Sequence, residues 1–248
     1  MDDLYIIHGA PPEIACAVED KFLKRLDQDA TDALDRLLLE DFETIGSDVR
    51  IRSGWSRFIM SLLQRNPEKV AWLRNVWAKK YPEELASKYA VYRRDTDPPT
   101  YEEYKKSMLP GAVELGVASL LQAVMDMPNF GAKLNSMMWS VVTFANPKHA
   151  LLTSDRPVII TNGLLRDDAH VVVPIGPRKM FVAVAEEGTL KAMKSLSPED
   201  LMWRVNDRIC TQAKAYVYGD SDRQLKFVEN RLGRGAPQFI AFDPDRDL

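Results

Sequence analysis

A block of β-branched and aromatic residues between positions 139 and 185 constrains the fold more than any other part of the chain. Its short apolar runs lie at residues 139–145, 150–153, 158–161, 170–175 and 179–185. Such residues favour extended backbone. The intervening turns, for example residues 146–149 and 176–178, are too short for the crossover that parallel strands require. We therefore predict an antiparallel sheet in which residues 139–145 and 150–153 form a hairpin.

The residues before this block have the spacing of helices. From Ile14 to Leu38 apolar side chains recur at helical intervals, and charged side chains occupy the other faces. Residues 66–68 (Asn-Pro-Glu) provide a helix start with a cap, a first-turn proline and an acidic side chain. Pro82 is predicted to start a further helix, and residues 111–126 form another. Ser197 and the proline after it predict a helix that continues to about residue 215.

These patterns predict an α+β fold. A mostly helical N-terminal part, residues 1–138, packs with a C-terminal part, residues 139–248, built on a mostly antiparallel sheet that carries helices. No polar linker long enough to separate two independent domains interrupts the 248 residues. We therefore predict a single domain over residues 1–248.

Charge and cysteine content restrict the setting in which the chain works. The formal net charge is −3, which argues against a general attraction to nucleic acid or to anionic membranes. No apolar run approaches the roughly 20 residues that span a bilayer, and the N-terminus is acidic. Only two cysteines occur, Cys16 and Cys210. This content predicts a soluble protein of a reducing cytoplasm that does not bind membranes.

The segment Thr153-Ser154-Asp155, here called the polar corner, is the main candidate site. It follows one apolar run and precedes Pro157 and a second run, so it reads as a polar bend held between strands. Its hydroxyls and carboxylate could bind a ligand, and Asp155 could act as a base. The simpler alternative is that they accept backbone hydrogen bonds within the turn. Asn206, inside a predicted helix, is expected to face inward and bond to this corner.

At the polar corner the chain resembles a bacterial family known as domain of unknown function 4238. The resemblance rests on residues 151–158, which match the family's TSD-x-P-V element. Residues 172–177 are similar to its P-L-x-P element, and the Val205-Asn206 pair begins a stretch that is similar to its V-N…A…V-Y element. The acidic N-terminal helix, with Glu19 and Asp27, resembles the family's acidic positions more loosely.

The resemblance implies a fold grouping and no particular activity. Members usually carry an H-x-x-P-Q segment before this point, and no segment here matches it. His8 stands before Gly-Ala-Pro, a different context, so that role is not transferred to it.

The aromatic and basic residues between positions 72 and 106 raise a nucleic-acid alternative. Aromatic side chains that stack on bases, next to cations that bind phosphates, are typical of single-strand grooves. Aromatic residues in helices are more often core residues, and acidic residues dilute the basic charge in this region. Nucleic acid is therefore the less favoured partner.

Two functions remain open. The first is a binding or regulatory module whose ligand candidates are Thr153, Ser154, Asp155, Asn206 and Glu19, with a small molecule or a protein as partner. The second is a metal-dependent hydrolase, acting on phosphodiesters, in which Asp155 and either Glu19 or Asp27 converge on a cation. No nucleophile elbow, phosphate loop or H-E-x-x-H motif is present. The three histidines lack metal-ligand spacing, so we predict no resident metal or cofactor.

Overall fold

The computed structural model describes residues 24–107, 112–145, 147–161, 163–164 and 166–235. Its helices are α1 (Lys24–Leu38), α2 (Phe42–Ser47), α3 (Val49–Gln64), α4 (Pro67–Tyr92), α5 (Tyr101–Ser107), α6 (Ala112–Met125), α7 (Pro128–Ser136), α8 (Glu187–Ser195), α9 (Pro198–Gln212) and α10 (Leu225–Glu229), the last preceded by a 3₁₀ turn (Asp222–Gln224). Its strands are β1 (Met138–Thr143), β2 (Thr153–Ser154), β3 (Ile159–Thr161), β4 (His170–Gly176), β5 (Lys179–Val184) and β6 (Val217–Tyr218). The predicted α+β class is confirmed.

The main sheet is antiparallel and has four strands in the order β1-β5-β4-β3. A loop of residues 162–169 joins β3 to β4 and a short turn joins β4 to β5, and both pairs are antiparallel as predicted. The predicted hairpin between residues 139–145 and 150–153 is wrong, because β1 pairs with β5 and β2 pairs with β6 in a separate small sheet. The second run leaves the main sheet because its backbone groups find partners elsewhere. Leu151 N–H, for example, donates to the carbonyl of Pro177 at 2.8 Å.

Both faces of the main sheet are covered, which explains why its strands are apolar at nearly every position. Phe181 and Ala183 on β5 lie in one core cluster with side chains of α1, α2, α3 and α7. Their neighbours Met180 and Val182 point to the opposite face, into a second cluster with α9. This alternation follows from the two-residue repeat of a strand, and burial of both faces removes the need for polar residues between the apolar ones.

The chain divides into two compact units, one of residues 1–25 and 64–125 and the other of residues 26–63 and 126–248. In the first unit α4 runs through Pro82 without a break, so the helix start predicted there is wrong. A proline inside a helix removes one backbone hydrogen bond but leaves the other turns intact. In the same unit Gly116 of α6 lies so close to the ring of Trp77 that any side chain there would collide with it. The second unit contains both sheets.

Two predicted segments lie outside the described residues. They are the start of the first helix, before Lys24, and a final apolar strand at residues 239–242. Among the helices that the structure describes, none is long and apolar enough to cross a membrane.

Glu40 ends α1 in a left-handed conformation that glycine usually occupies, with φ of 57°. The backbone forms the paired bonds of a Schellman turn, from Glu40 N–H to Leu37 and from Asp41 N–H to Arg36. The Glu40 carboxylate accepts hydrogen bonds from Thr143 of β1 at 3.0 Å and from Lys179 of β5 at 2.9 Å. The side chain therefore fastens the end of α1 to two strands and offsets the cost of its backbone conformation.

We predict that Glu40→Gly is more stable than Glu40→Ala by about 1 kcal/mol, because only alanine retains the left-handed strain. Both variants lose the contacts to Thr143 and Lys179. The hydrogen bond from Lys179 lowers the pKa of Glu40. Its stabilising contribution is therefore present above the ordinary glutamate pKa and is lost as the pH falls through the lowered value. Urea denaturation at pH 7 and pH 3 tests the stability difference between the two variants and the pH dependence of the Glu40 contribution. Equal stability of the two variants would contradict the predicted difference.

Candidate functional site

Asp155 is held by three consecutive backbone N–H groups that follow α9. Its Oδ1 accepts from Lys214 at 3.0 Å, and its Oδ2 accepts from Ala215 at 2.8 Å and from Tyr216 at 3.3 Å. The Asp155 N–H donates in turn to the carbonyl of Tyr216 at 3.0 Å. Successive N–H groups of this kind form an anion-binding concavity. Here the concavity is filled by the chain's own carboxylate.

The rest of the polar corner is also tied into the fold. The Ser154 hydroxyl is buried and accepts a hydrogen bond from the Arg156 N–H at 3.1 Å. Gln212, at the end of α9, donates its side-chain amide to the carbonyls of Arg156 and Val158. Thr153 pairs with Tyr218 in the small sheet. The corner thus anchors the chain after α9. Ser154 makes the hydrogen bond within the turn that the structural alternative anticipated, whereas Asp155 accepts from a distant segment.

Asn206 faces inward as predicted and is only 2% exposed. Its Oδ1 accepts from Leu152 N–H and its Nδ2 donates to Ala150 C=O, both at 2.8 Å. The partners are therefore the two residues of the strand-like run before the corner rather than residues 153–155 themselves. One side chain thus bonds both an N–H and a C=O group of the extended backbone, as a neighbouring strand would.

An open cleft of about 340 Å³ lies beside this run and is lined in part by Ala150. Three segments form its walls: residues 147–150, the turn at residues 177–178, and residues 220–224 after β6. Its volume is at the lower end of the range for small-molecule sites. Its lining residues are Pro147, Lys148, His149, Ala150, Pro177, Arg178, Asp220, Ser221, Arg223 and Gln224. We call this site the basic cleft.

The three walls are joined by hydrogen bonds to the backbone of residues 150 and 151. Leu151 N–H donates to Pro177 C=O at 2.8 Å, and Ala150 N–H donates to the Gln224 Oε1 at 3.2 Å. The Asn206 side-chain amide donates a hydrogen bond to the Ala150 carbonyl at 2.8 Å. Because each wall is fixed to the same short run, the cleft is assembled by the tertiary fold and does not depend on a single flexible loop.

Positive charge dominates the basic cleft. Lys148, Arg178 and Arg223 carry three cationic groups against one carboxylate, that of Asp220. Lys148 is also paired with Glu199 at 3.3 Å on the surface. Within the described part of the chain, neither Arg178 nor Arg223 forms an ion pair. Two guanidinium groups are thus available for an anion that enters the cleft.

Gln224 adds a neutral donor to this set. The residue is 8% exposed, and its Oε1 is engaged by Ala150 N–H. Its Nε2 has no hydrogen-bond acceptor among residues 24–107, 112–145, 147–161, 163–164 and 166–235. Because the carbonyl end of the amide is fixed to the wall, the amino end remains for a ligand.

The basic cleft was not among the sites predicted from the sequence, although one signal for it is present. Residues 147–149 (Pro-Lys-His) and residues 177–178 (Pro-Arg) are both turns in which a proline precedes a cation. Each turn by itself is an ordinary connector, and only the fold places the two together with residues 220–224.

The other sequence candidates do not form a shared site in the described residues. Glu19 lies outside them. Asp27 is half-buried on α1, and Asp207 accepts from the Arg231 guanidinium at 2.7 Å. In the part of the chain that the structure covers, no three His, Cys, Asp or Glu residues are grouped closely enough to hold a metal ion.

Comparison with known proteins gives one match. The family model described as Protein of unknown function (DUF4238) matches residues 1–223, which include almost all of the basic cleft and the whole polar corner. The predicted family is confirmed. No curated protein and no solved structure matches the chain.

Proposed function

The chain belongs to the DUF4238 family, and we propose that it is a binding module that takes an anionic small molecule in the basic cleft. The family description assigns no activity, so the proposal rests on the chain's own residues. We propose the neighbouring cleft as the ligand site in place of Thr153, Ser154 and Asp155, because the Asp155 carboxylate already accepts hydrogen bonds from three backbone N–H groups.

The observation that carries the proposal is the pair Arg178 and Arg223, which line one cleft without an ion-pair partner in the described chain. Like charges that share a concave site repel each other, so such a site is stabilised when an anion enters. Guanidinium groups bind phosphate and carboxylate oxygens in pairs, with geometric specificity. The Gln224 amide and Lys148 add donors at the same opening.

We also propose that the protein works in the reducing cytoplasm of a bacterium. Cys210 is a free, fully buried thiol in α9. Burial raises its pKa to about 11, which keeps it protonated and unreactive at neutral pH. An unreactive thiol in a core is compatible with a compartment in which disulfides are rare.

Titration with inorganic phosphate at constant ionic strength tests the function. We expect saturable binding, and we expect Arg178→Gln and Arg223→Gln each to weaken it about 5- to 10-fold, since each removes a charge-assisted contact. Isothermal calorimetry or amide chemical-shift changes would measure the dissociation constant.

Arg204→Gln is the matched control. Arg204 is an exposed arginine of α9 that does not line the cleft. Its loss should change the affinity less than 2-fold. The proposal fails if phosphate does not saturate the wild-type protein, or if Arg204→Gln weakens binding as much as the two cleft variants, because binding would then follow net charge alone.

A further inference from the structure

We propose that the ligand of the basic cleft is a phosphorylated sugar or polyol, with the phosphate at the arginines and the hydroxyl groups at Asp220. This inference rests on the proposed anion binding and specifies its ligand class.

The charge balance fits a dianion. Among the described lining residues, Lys148 is paired with Glu199 outside the cleft, so the positive charge available to a ligand is that of Arg178 and Arg223, with His149 counted as neutral. A phosphate monoester carries about 1.5 to 2 negative charges at neutral pH. A single carboxylate would leave part of the positive charge uncompensated.

Asp220 requires a ligand that also donates hydrogen bonds. A carboxylate in the lining repels a bare anion, but it accepts hydroxyl donors strongly. Its Oδ1 accepts the hydroxyl of its neighbour Ser221 at 3.2 Å, and a carboxylate has further acceptor sites for the O–H groups of a ligand. A ligand with hydroxyl groups next to its phosphate would satisfy both the carboxylate and the arginines.

The apolar part of the lining argues against a nucleobase. Apart from Ala150, it consists of Pro147 and Pro177. Among the lining residues that the structure describes there is no phenylalanine, tyrosine or tryptophan, so they offer no aromatic ring on which a base could stack. Proline rings provide a small aliphatic surface that can contact the C–H groups of a sugar. The volume of about 340 Å³ suits one ring with its phosphate.

Calorimetric titration with ethyl phosphate, ribose 5-phosphate and adenosine monophosphate tests this inference. We expect ribose 5-phosphate to bind about 10-fold more tightly than ethyl phosphate and more tightly than adenosine monophosphate. Asp220→Asn should reduce the preference for the sugar to about 2-fold, and it should keep or improve the binding of ethyl phosphate because a repulsive charge is removed. Asp222→Asn is the matched control, since Asp222 does not line the cleft, and it should leave the preference unchanged.

The outcomes separate the two proposals. Equal binding of ethyl phosphate and ribose 5-phosphate would overturn the sugar assignment and leave anion binding intact. Tighter binding of adenosine monophosphate would also overturn it, because base recognition would then dominate. Failure of all three phosphates to bind would reject the anion site itself, and the sugar assignment with it.

Discussion

Asn206→Ala is expected to lower the free energy of unfolding by about 3 kcal/mol. The substitution leaves the Leu152 N–H and the Ala150 C=O without their side-chain partner, and each unsatisfied buried group costs about 1–3 kcal/mol. Leu152 is 2% exposed, so water cannot replace the lost bond there without opening the core. The position is also almost fully buried, so the shorter side chain adds a small cavity.

Two further variants distinguish the hydrogen bonds from the packing. Asn206→Asp keeps the shape and the acceptor for Leu152, but it places an oxygen against the Ala150 carbonyl in place of the amide donor. It should therefore be as destabilising as alanine at pH 7 and less so at acid pH, where a protonated carboxyl can donate to that carbonyl. Asn230→Ala, at an exposed position just after α10, is the control and should change stability by less than 0.5 kcal/mol. Urea denaturation measures all three. A loss below 1 kcal/mol for Asn206→Ala would show that the two bonds are dispensable.

Asp155→Ala is expected to lower the free energy of unfolding by about 2 kcal/mol. It frees the backbone N–H groups of residues 214–216, which donate to the carboxylate in the native state. Hydrogen bonds to a charged acceptor contribute about 1.5–3 kcal/mol each. Solvent can reach these groups, so the total is smaller than three full bonds. Asp155→Asn retains one acceptor oxygen and should lose about 1 kcal/mol.

The same variant separates a structural corner from a ligand site. Asp155 does not line the basic cleft. At a temperature where the variant remains folded, Asp155→Ala should therefore bind inorganic phosphate within 2-fold of the wild type. Asp167→Ala, an exposed carboxylate in the loop before β4, controls for the change in net charge. A loss of phosphate affinity greater than 10-fold for Asp155→Ala alone would indicate that phosphate binds at the polar corner and not in the basic cleft.

Several parts of this molecule were determined by local sequence. Apolar, β-branched runs with connectors too short for a crossover determined β3, β4 and β5 and their antiparallel pairing, because strand preference and connector length are properties of neighbouring residues. Ser197 caps α9 by accepting from the Asp200 N–H, as its serine-proline start predicts. The inward position of Asn206 also followed from local sequence, because an amide inside a helix needs hydrogen-bond partners.

Pairing between distant segments was decided by the tertiary structure. Residues 150–153 have the composition of a strand of the main sheet, yet β1 pairs with β5, and side chains of Asn206 and Gln224 satisfy backbone groups of residues 150 and 152. The basic cleft results from the same placement of residues 150–153 outside the main sheet. Arg178 and Arg223 are remote in sequence, and each by itself is an ordinary surface arginine. They share a cleft because residues 150 and 151 hydrogen-bond to Gln224, next to Arg223, and to Pro177, next to Arg178. No local pattern of residues encodes that contact.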